Sequence, residues 1–124
     1  MRLLLDTHVL LWWSTDSPRL QENARDAIRS AGRVVVSAAS AWEAAIKARS
    51  GKLTLNVPFD AVAEVNGFEK LPITFAHAAA VATLPEHHRD PFDRMLVAQA
   101  QTEGHTLVTH DRALEPYGIP ILWT

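Results

Sequence analysis

Four carboxylates stand where this chain passes from an apolar run into a helix-forming segment. Asp6 follows Leu3-Leu4-Leu5 directly, and Asp111 lies three residues past Val108 in Leu107-Val108-Thr109-His110-Asp111. Glu43 falls early in the helical segment after Val34-Val35-Val36, and Asp93 falls in the first turn of a helix opened by Asp90-Pro91. Singly, each acid has an ordinary structural use, because carboxylates at helix starts accept orphan amides and suit the positive end of the helix dipole. Ser40-Ala41-Trp42-Glu43 reads as a capping box, and Asp90-Pro91-Phe92-Asp93 puts Asp90 at the N-cap with Pro91 at the first helical position. Together they pose a problem that caps do not solve. Carboxylates gathered in one crevice repel unless some hold a proton or a cation sits among them. A donor set made only of oxygen suits hard divalent ions, Mg2+ and Mn2+ above all. One or two such ions orient water, lower its pKa and stabilise charge developing on a phosphate. The chemistry these acids point to is metal-dependent phosphodiester hydrolysis.

Whether they meet depends on the elements that carry them. Residues 3–5 and 34–36 are apolar without alternation, which suits strands buried on both faces. Leu107 and Val108 belong to a third such strand, residues 71–73 are a further extended segment, and residues 119–122 are a last one whose Pro120 assigns it to a sheet edge. Between them lie helical segments: residues 9–13; residues 18–31, with Ser17 as N-cap before Pro18; residues 37–49, closed by Gly51; a weaker one at 59–68; 74–84; and 91–103, stopped by Gly104. Strands alternating with helices predict an α/β fold, a parallel sheet covered on both faces. Ligands in such sheets sit beyond the carboxyl ends of the strands, where Asp6, Glu43 and Asp111 would share one edge. The pattern leaves open whether Asp93 joins them.

Composition bounds the rest. The chain has 124 residues, 48% apolar and 21% charged, with no cysteine, which predicts a single domain over 1–124 without disulfides, thiolate chemistry or Cys-based metal sites. No run approaches the roughly 18 to 20 apolar residues of a membrane span, and Asp6 ends the first apolar run after three leucines, so the protein is expected in the cytoplasm. A net charge of -2 argues against holding nucleic acid by bulk electrostatics. Setting the four acids aside leaves ten acidic against 12 basic residues, and nine of the 12 are Arg, the better residue for bidentate phosphate contacts.

The segments Leu3-Leu4-Leu5-Asp6-Thr7-His8, Ser37-Ala38-Ala39-Ser40-Ala41-Trp42-Glu43, Asp90-Pro91-Phe92-Asp93-Arg94 and Leu107-Val108-Thr109-His110-Asp111 occur in the order of the motifs of a PIN domain. More narrowly, the chain resembles the VapC-type ribonuclease toxins of toxin-antitoxin pairs over nearly its whole length. The resemblance implies a three-layer α/β/α fold with a central sheet of about five strands, and a Mg2+- or Mn2+-dependent endoribonuclease. It places the family's acids on Asp6, Glu43, Asp93 and Asp111. Asp6 and Asp93 would bind the principal ion, Asp111 would bind it directly or through water, and Glu43 would position or activate the attacking water or help hold the ion. Thr109 would bind a water or phosphate, with Thr7 and Asp90 in supporting places. Of the two acids in the third motif, Asp93 is preferred as ligand because Pro91 already makes Asp90 an N-cap.

Arg89 and Arg94 flank that motif as candidate phosphate contacts, against solvated ion pairs with Asp90 or Glu86. The six histidines show no paired ligand spacing, and His8, beside Asp6-Thr7, is the best placed of them for a hydrogen bond to the site. Trp12, Trp13 and Trp42 lie in apolar helical runs and are expected to pack in the core or an interface. The partners implied are RNA and a protein antitoxin, in a homodimer or toxin-antitoxin hetero-oligomer. The apolar helices at 9–13 and 59–68 are candidates for the antitoxin groove or the dimer face. Two rivals stand beside this reading: a structure-specific DNA nuclease of related fold, for whose arch or clamp 124 residues leave little room, and a non-catalytic binding module.

Overall fold

The computed structural model describes residues 1–124. Five strands, β1 (Arg2–Leu5), β2 (Arg33–Ser37), β3 (Glu69–Leu71), β4 (Thr106–Thr109) and β5 (Ile121–Trp123), form one parallel sheet in the order β3-β2-β1-β4-β5. Register follows from the pleat. Leu4 pairs with Val35 on one side and Leu107 on the other, and all three face the same layer. Leu3, Leu5, Val36 and Val108 face the opposite layer. Leu3, Leu4 and Leu5 are fully buried, worth roughly 2 kcal/mol each against exposure, so β1 is committed to the centre of the sheet.

Helices α1 (Thr7–Ser14), α2 (Glu22–Ser30) and α4 (Phe59–Val65) cover one face, through Val9, Leu10, Ala24, Ile28, Phe59 and Val62. On the other face α6 (Pro91–Glu103) packs Leu96, Val97 and Ala100 against the sheet, with α5 (Phe75–Ala82) beside it, while α3 (Ala38–Arg49) contributes to both layers. The three-layer α/β/α architecture predicted above is therefore present. No helix is long and apolar enough to cross a membrane.

Local details depart from expectation for identifiable reasons. The helix expected at 18–31 begins at Glu22, because Arg25 draws the carbonyls of Ser17 and Leu20 onto its guanidinium and pairs with Asp16, holding residues 16–20 in turns. Ser17 accepts from the Arg19 amide within those turns rather than capping a helix. The helix expected to reach Phe68 stops at Val65, since Gly67 takes φ +72° and Phe68 donates back to Ala63. Strand β3 precedes Pro72 instead of containing it, which spares an edge strand a missing donor. The Ser40–Glu43 capping box does not form: Ser37 ends β2 and caps α3, accepting from the Ala39 amide, so Ser40 and Glu43 lie inside the helix.

Candidate active site

A parallel sheet aims its strand ends and the following helix N-termini at one edge. Asp6 leaves β1 and caps α1: Oδ1 accepts from the Val9 amide at 2.9 Å, and Oδ2 accepts from the Thr109 hydroxyl at 2.6 Å. Thr109, wholly buried at the end of β4, also accepts from the Asp111 amide at 3.1 Å, so one hydroxyl ties two acids together. Asp111 in turn caps a short 3-10 helix, Arg112–Tyr117, through the Ala113 amide. Glu43, one turn into α3, is buried and has both oxygens occupied. Thr7 donates to Oε1 at 2.6 Å and the Lys47 ammonium to Oε2 at 2.8 Å.

Asp93 does join the edge. Asp90 accepts from the Phe92 and Asp93 amides, Pro91 follows it, and this cap turns the Asp93 carboxylate inward. Asp6, Glu43, Asp93 and Asp111 line one cleft of about 230 Å³ together with His8, Lys47, Asp90 and His110, with no apolar residue in its wall. A roomier hollow of about 390 Å³ under α4 is lined largely by Val36, Ala41, Phe59, Ala63 and Leu71, and it offers little polar chemistry.

Crowding shows in the proton affinities. Burial pushes the Asp6 carboxyl up, against the hydrogen bonds from Thr109 and the Val9 amide and the nearby His8 and His110. Burial also pushes Asp93 up to about 7, helped by the charges of Asp90, Asp6 and Glu43 and opposed by a hydrogen bond with His88. The Glu43 carboxylate holds the Lys47 ammonium above the ordinary lysine range. One ammonium among five carboxylates leaves the cleft short of positive charge. The donor atoms are mostly carboxylate oxygens with free lone pairs, and ligand atoms of His88, Asp90 and Asp93 lie within 4.8 Å of one another, so the residues present fit a divalent cation.

Several side chains act otherwise than expected. The Arg94 guanidinium donates to the carbonyls of Pro85, Val81 and Leu84 and to the Tyr117 hydroxyl, so it is a strut under the 85–90 loop instead of a free phosphate contact. Arg89 is exposed without an ion pair, on a hollow shared with Trp42, Ile73 and Phe92. Trp42 is exposed and meets Phe92 edge-on, whereas Trp12 and Trp13 are half-buried against the core. His8 makes no hydrogen bond to the acids and instead packs against the rings of Trp12 and His110. Sequence reasoning passed over Lys47 and His88. The i,i+4 spacing of Glu43 and Lys47 was a readable signal. Nothing in the spacing of His88 pointed to Asp93.

An α/β/α domain with an acid-lined cleft at the carboxyl edge of its parallel sheet is the class that fold and site define. Within that class the chain belongs to the PIN domain family, whose pattern it matches over residues 3–119. It is 36% identical over 123 residues to Ribonuclease VapC22 of Mycobacterium tuberculosis, covering 95% of this chain and 93% of that protein. Its fold is also that of the crystal structure of VapBC2 from Rickettsia felis bound to a promoter DNA fragment, at TM-score 0.73, 13% identity and 98% of both chains. DNA-bound VapBC from Salmonella typhimurium superposes with TM-score 0.71 at 21% identity, over 98% of this chain and 97% of that one.

Proposed function

We propose that this single domain is a Mg2+- or Mn2+-dependent endoribonuclease, the toxin of a type II toxin-antitoxin pair, acting on RNA in the cytoplasm. The observation that carries the reading is the convergence of Asp6, Glu43, Asp93 and Asp111, from four separate segments, on one cleft that holds a single ammonium for five carboxylates. Ribonuclease VapC22, at 36% identity, supports RNA as substrate. Asp6, Asp93 and Asp111 would hold the ion. When bound, it would lower the pKa of water and offset charge on the scissile phosphate. Glu43, fixed on both oxygens by Thr7 and Lys47, keeps lone pairs free to orient the attacking water and accept its proton. Thr109 ties the Asp6 carboxylate to the Asp111 backbone amide.

The likeness to VapBC2 from Rickettsia felis and to a toxin-antitoxin complex from Klebsiella pneumoniae supports a protein antitoxin as partner, in a hetero-oligomer. A groove of about 380 Å³ between α1 and α4, lined by Leu11, Leu55, Val57, Val62 and Val65 among others, supports the apolar docking surface expected at these helices. A basic antitoxin side chain suits the acid cleft for the same electrostatic reason that a cation does.

The test is cleavage of structured RNA by purified protein with Mg2+, Mn2+ or EDTA, beside Asp6→Asn and Asp93→Asn variants shown to be folded. Cleavage should require the ion and fall at least about a thousandfold in either variant. Equal cleavage by all three proteins would overturn the assignment.

A further inference from the structure

His88 lies in the 85–90 loop, two residues before the cap of α6, with its side chain 24% exposed. Its Nε2 is 3.0 Å from Asp93 Oδ2 and 3.6 Å from Asp111 Oδ2, so one imidazole nitrogen faces acids delivered by two separate elements. Two donors bound about 2.1 Å from one ion are roughly 3.0 Å apart at a right angle and roughly 3.4 Å apart at a tetrahedral angle. The His88–Asp93 separation is the right-angle value, and the 3.6 Å from His88 to Asp111 is slightly wider than the tetrahedral one. A ligand atom of Asp90 also lies within 4.8 Å of those of His88 and Asp93. Nε2 hydrogen-bonds Asp93 in the metal-free chain, and Nδ1 has no partner within the protein, so Nδ1 is free to take the ring proton when an ion claims the Nε2 lone pair.

Resting on the metal-dependent reading above, we propose that His88 is a nitrogen ligand of the divalent ion, beside Asp93 and Asp111. An imidazole in an otherwise oxygen set biases the site toward Mn2+ and later transition ions over Mg2+, which prefers oxygen alone. A chain with four well-placed acids thus gains a preference among divalent ions from a residue outside the acidic motifs.

Pulsed EPR of the full chain loaded with Mn2+ reads this directly, because a bound imidazole imposes 14N modulation on the Mn2+ signal. The modulation should be present in the wild type, absent in His88→Ala and retained in His8→Ala, whose residue lines the same cleft. Calorimetry should show Mn2+ affinity falling about tenfold or more in His88→Ala, with Mg2+ affinity changing by less than about threefold. Mn2+ binding by the wild type without nitrogen modulation would overturn the assignment whatever the variants do, and leave the carboxylate site standing. Modulation persisting in His88→Ala would overturn it equally and name another histidine. Binding of Mg2+ but not Mn2+ by the wild type would overturn the His88 assignment alone, and binding of neither ion would overturn the metal-dependent reading itself.

Discussion

Helix α6 carries two polar networks in or beside the core, and they are built on opposite rules. Toward its carboxyl end, Gln99 and Glu103 meet His77, which is fully buried and belongs to the first turn of α5. There donors meet acceptors. Thr74 and His77 exchange capping bonds at 3.0 and 3.2 Å, His77 Nε2 meets Glu103 at 2.9 Å, and Gln99 donates to the Pro72 carbonyl at 3.3 Å, leaving only Gln99 Oε1 without a partner. At its amino end, acceptors are gathered against acceptors: Asp90 and Asp93 face Asp6, Glu43 and Asp111. The first network pairs all of its polar atoms but Gln99 Oε1 and holds α5 to α6. The second needs a positive charge from outside, which is the signature of a binding site more than of a structural core.

His77→Ala attacks the donor-to-acceptor network and should have the larger effect on folding, about 3 kcal/mol of stability, because it opens a cavity and strips Glu103 and the Thr74 amide of partners. Urea unfolding measures this, while RNA cleavage by the folded fraction should stay within about twofold of wild type. Unchanged stability would erase the contrast.

Asp93→Asn tests the other network with the opposite sign. Burial and the neighbouring Asp90 charge push the Asp93 carboxyl up to about 7 from an ordinary 3.8, so the folded state holds that proton more tightly than the unfolded one. Its contribution to stability is fully present below about pH 4 and is lost as pH rises through about 7. In EDTA, wild-type stability should therefore fall over that range, and Asp93→Asn should flatten the slope and stabilise the metal-free protein at pH 8 by on the order of 2 kcal/mol. Mn2+ should restore the wild type and do less for the variant. Identical pH slopes for the two proteins would show that crowding at Asp93 carries no free energy.

Thr109→Val is the smallest change, a near-isosteric loss of the hydroxyl shared by Asp6 and Asp111. About 1 kcal/mol of stability should go with it, and cleavage should drop roughly tenfold as the Asp6 carboxylate and the Asp111 backbone lose their common tether. A change in stability with no change in cleavage would make Thr109 a strand-end bond and nothing more.

Much of this arrangement is legible from residue order because short-range physics fixes it. Leu3 to Leu5 and Val34 to Val36 are apolar on both faces, so they are interior parallel strands, and Asp90-Pro91 with Gly104 bounds α6 by cap chemistry alone. The capping box at Ser40 shows where such reading fails. Ser37 and Ser40 are both good caps, and choosing between them requires knowing where β2 releases the chain, which its pairing with β1 and β3 decides. Arg94 shows the same limit: its neighbours in sequence are acids, but its partners are carbonyls up to 13 residues away and the Tyr117 hydroxyl.

By itself the sequence determined the interior strands, the boundaries of α6, and the identity of four acids at strand ends and helix starts, since each follows from a few adjacent residues. Only the tertiary structure decided that Asp93 joins the others, that Lys47 is the one ammonium in the cleft, and that His88 faces both Asp93 and Asp111. Those facts depend on how α6 and the 85–90 loop pack over the sheet. That packing is set by long-range burial, and in a crevice of like charges a shift of a few ångströms separates a row of helix caps from a site for a cation.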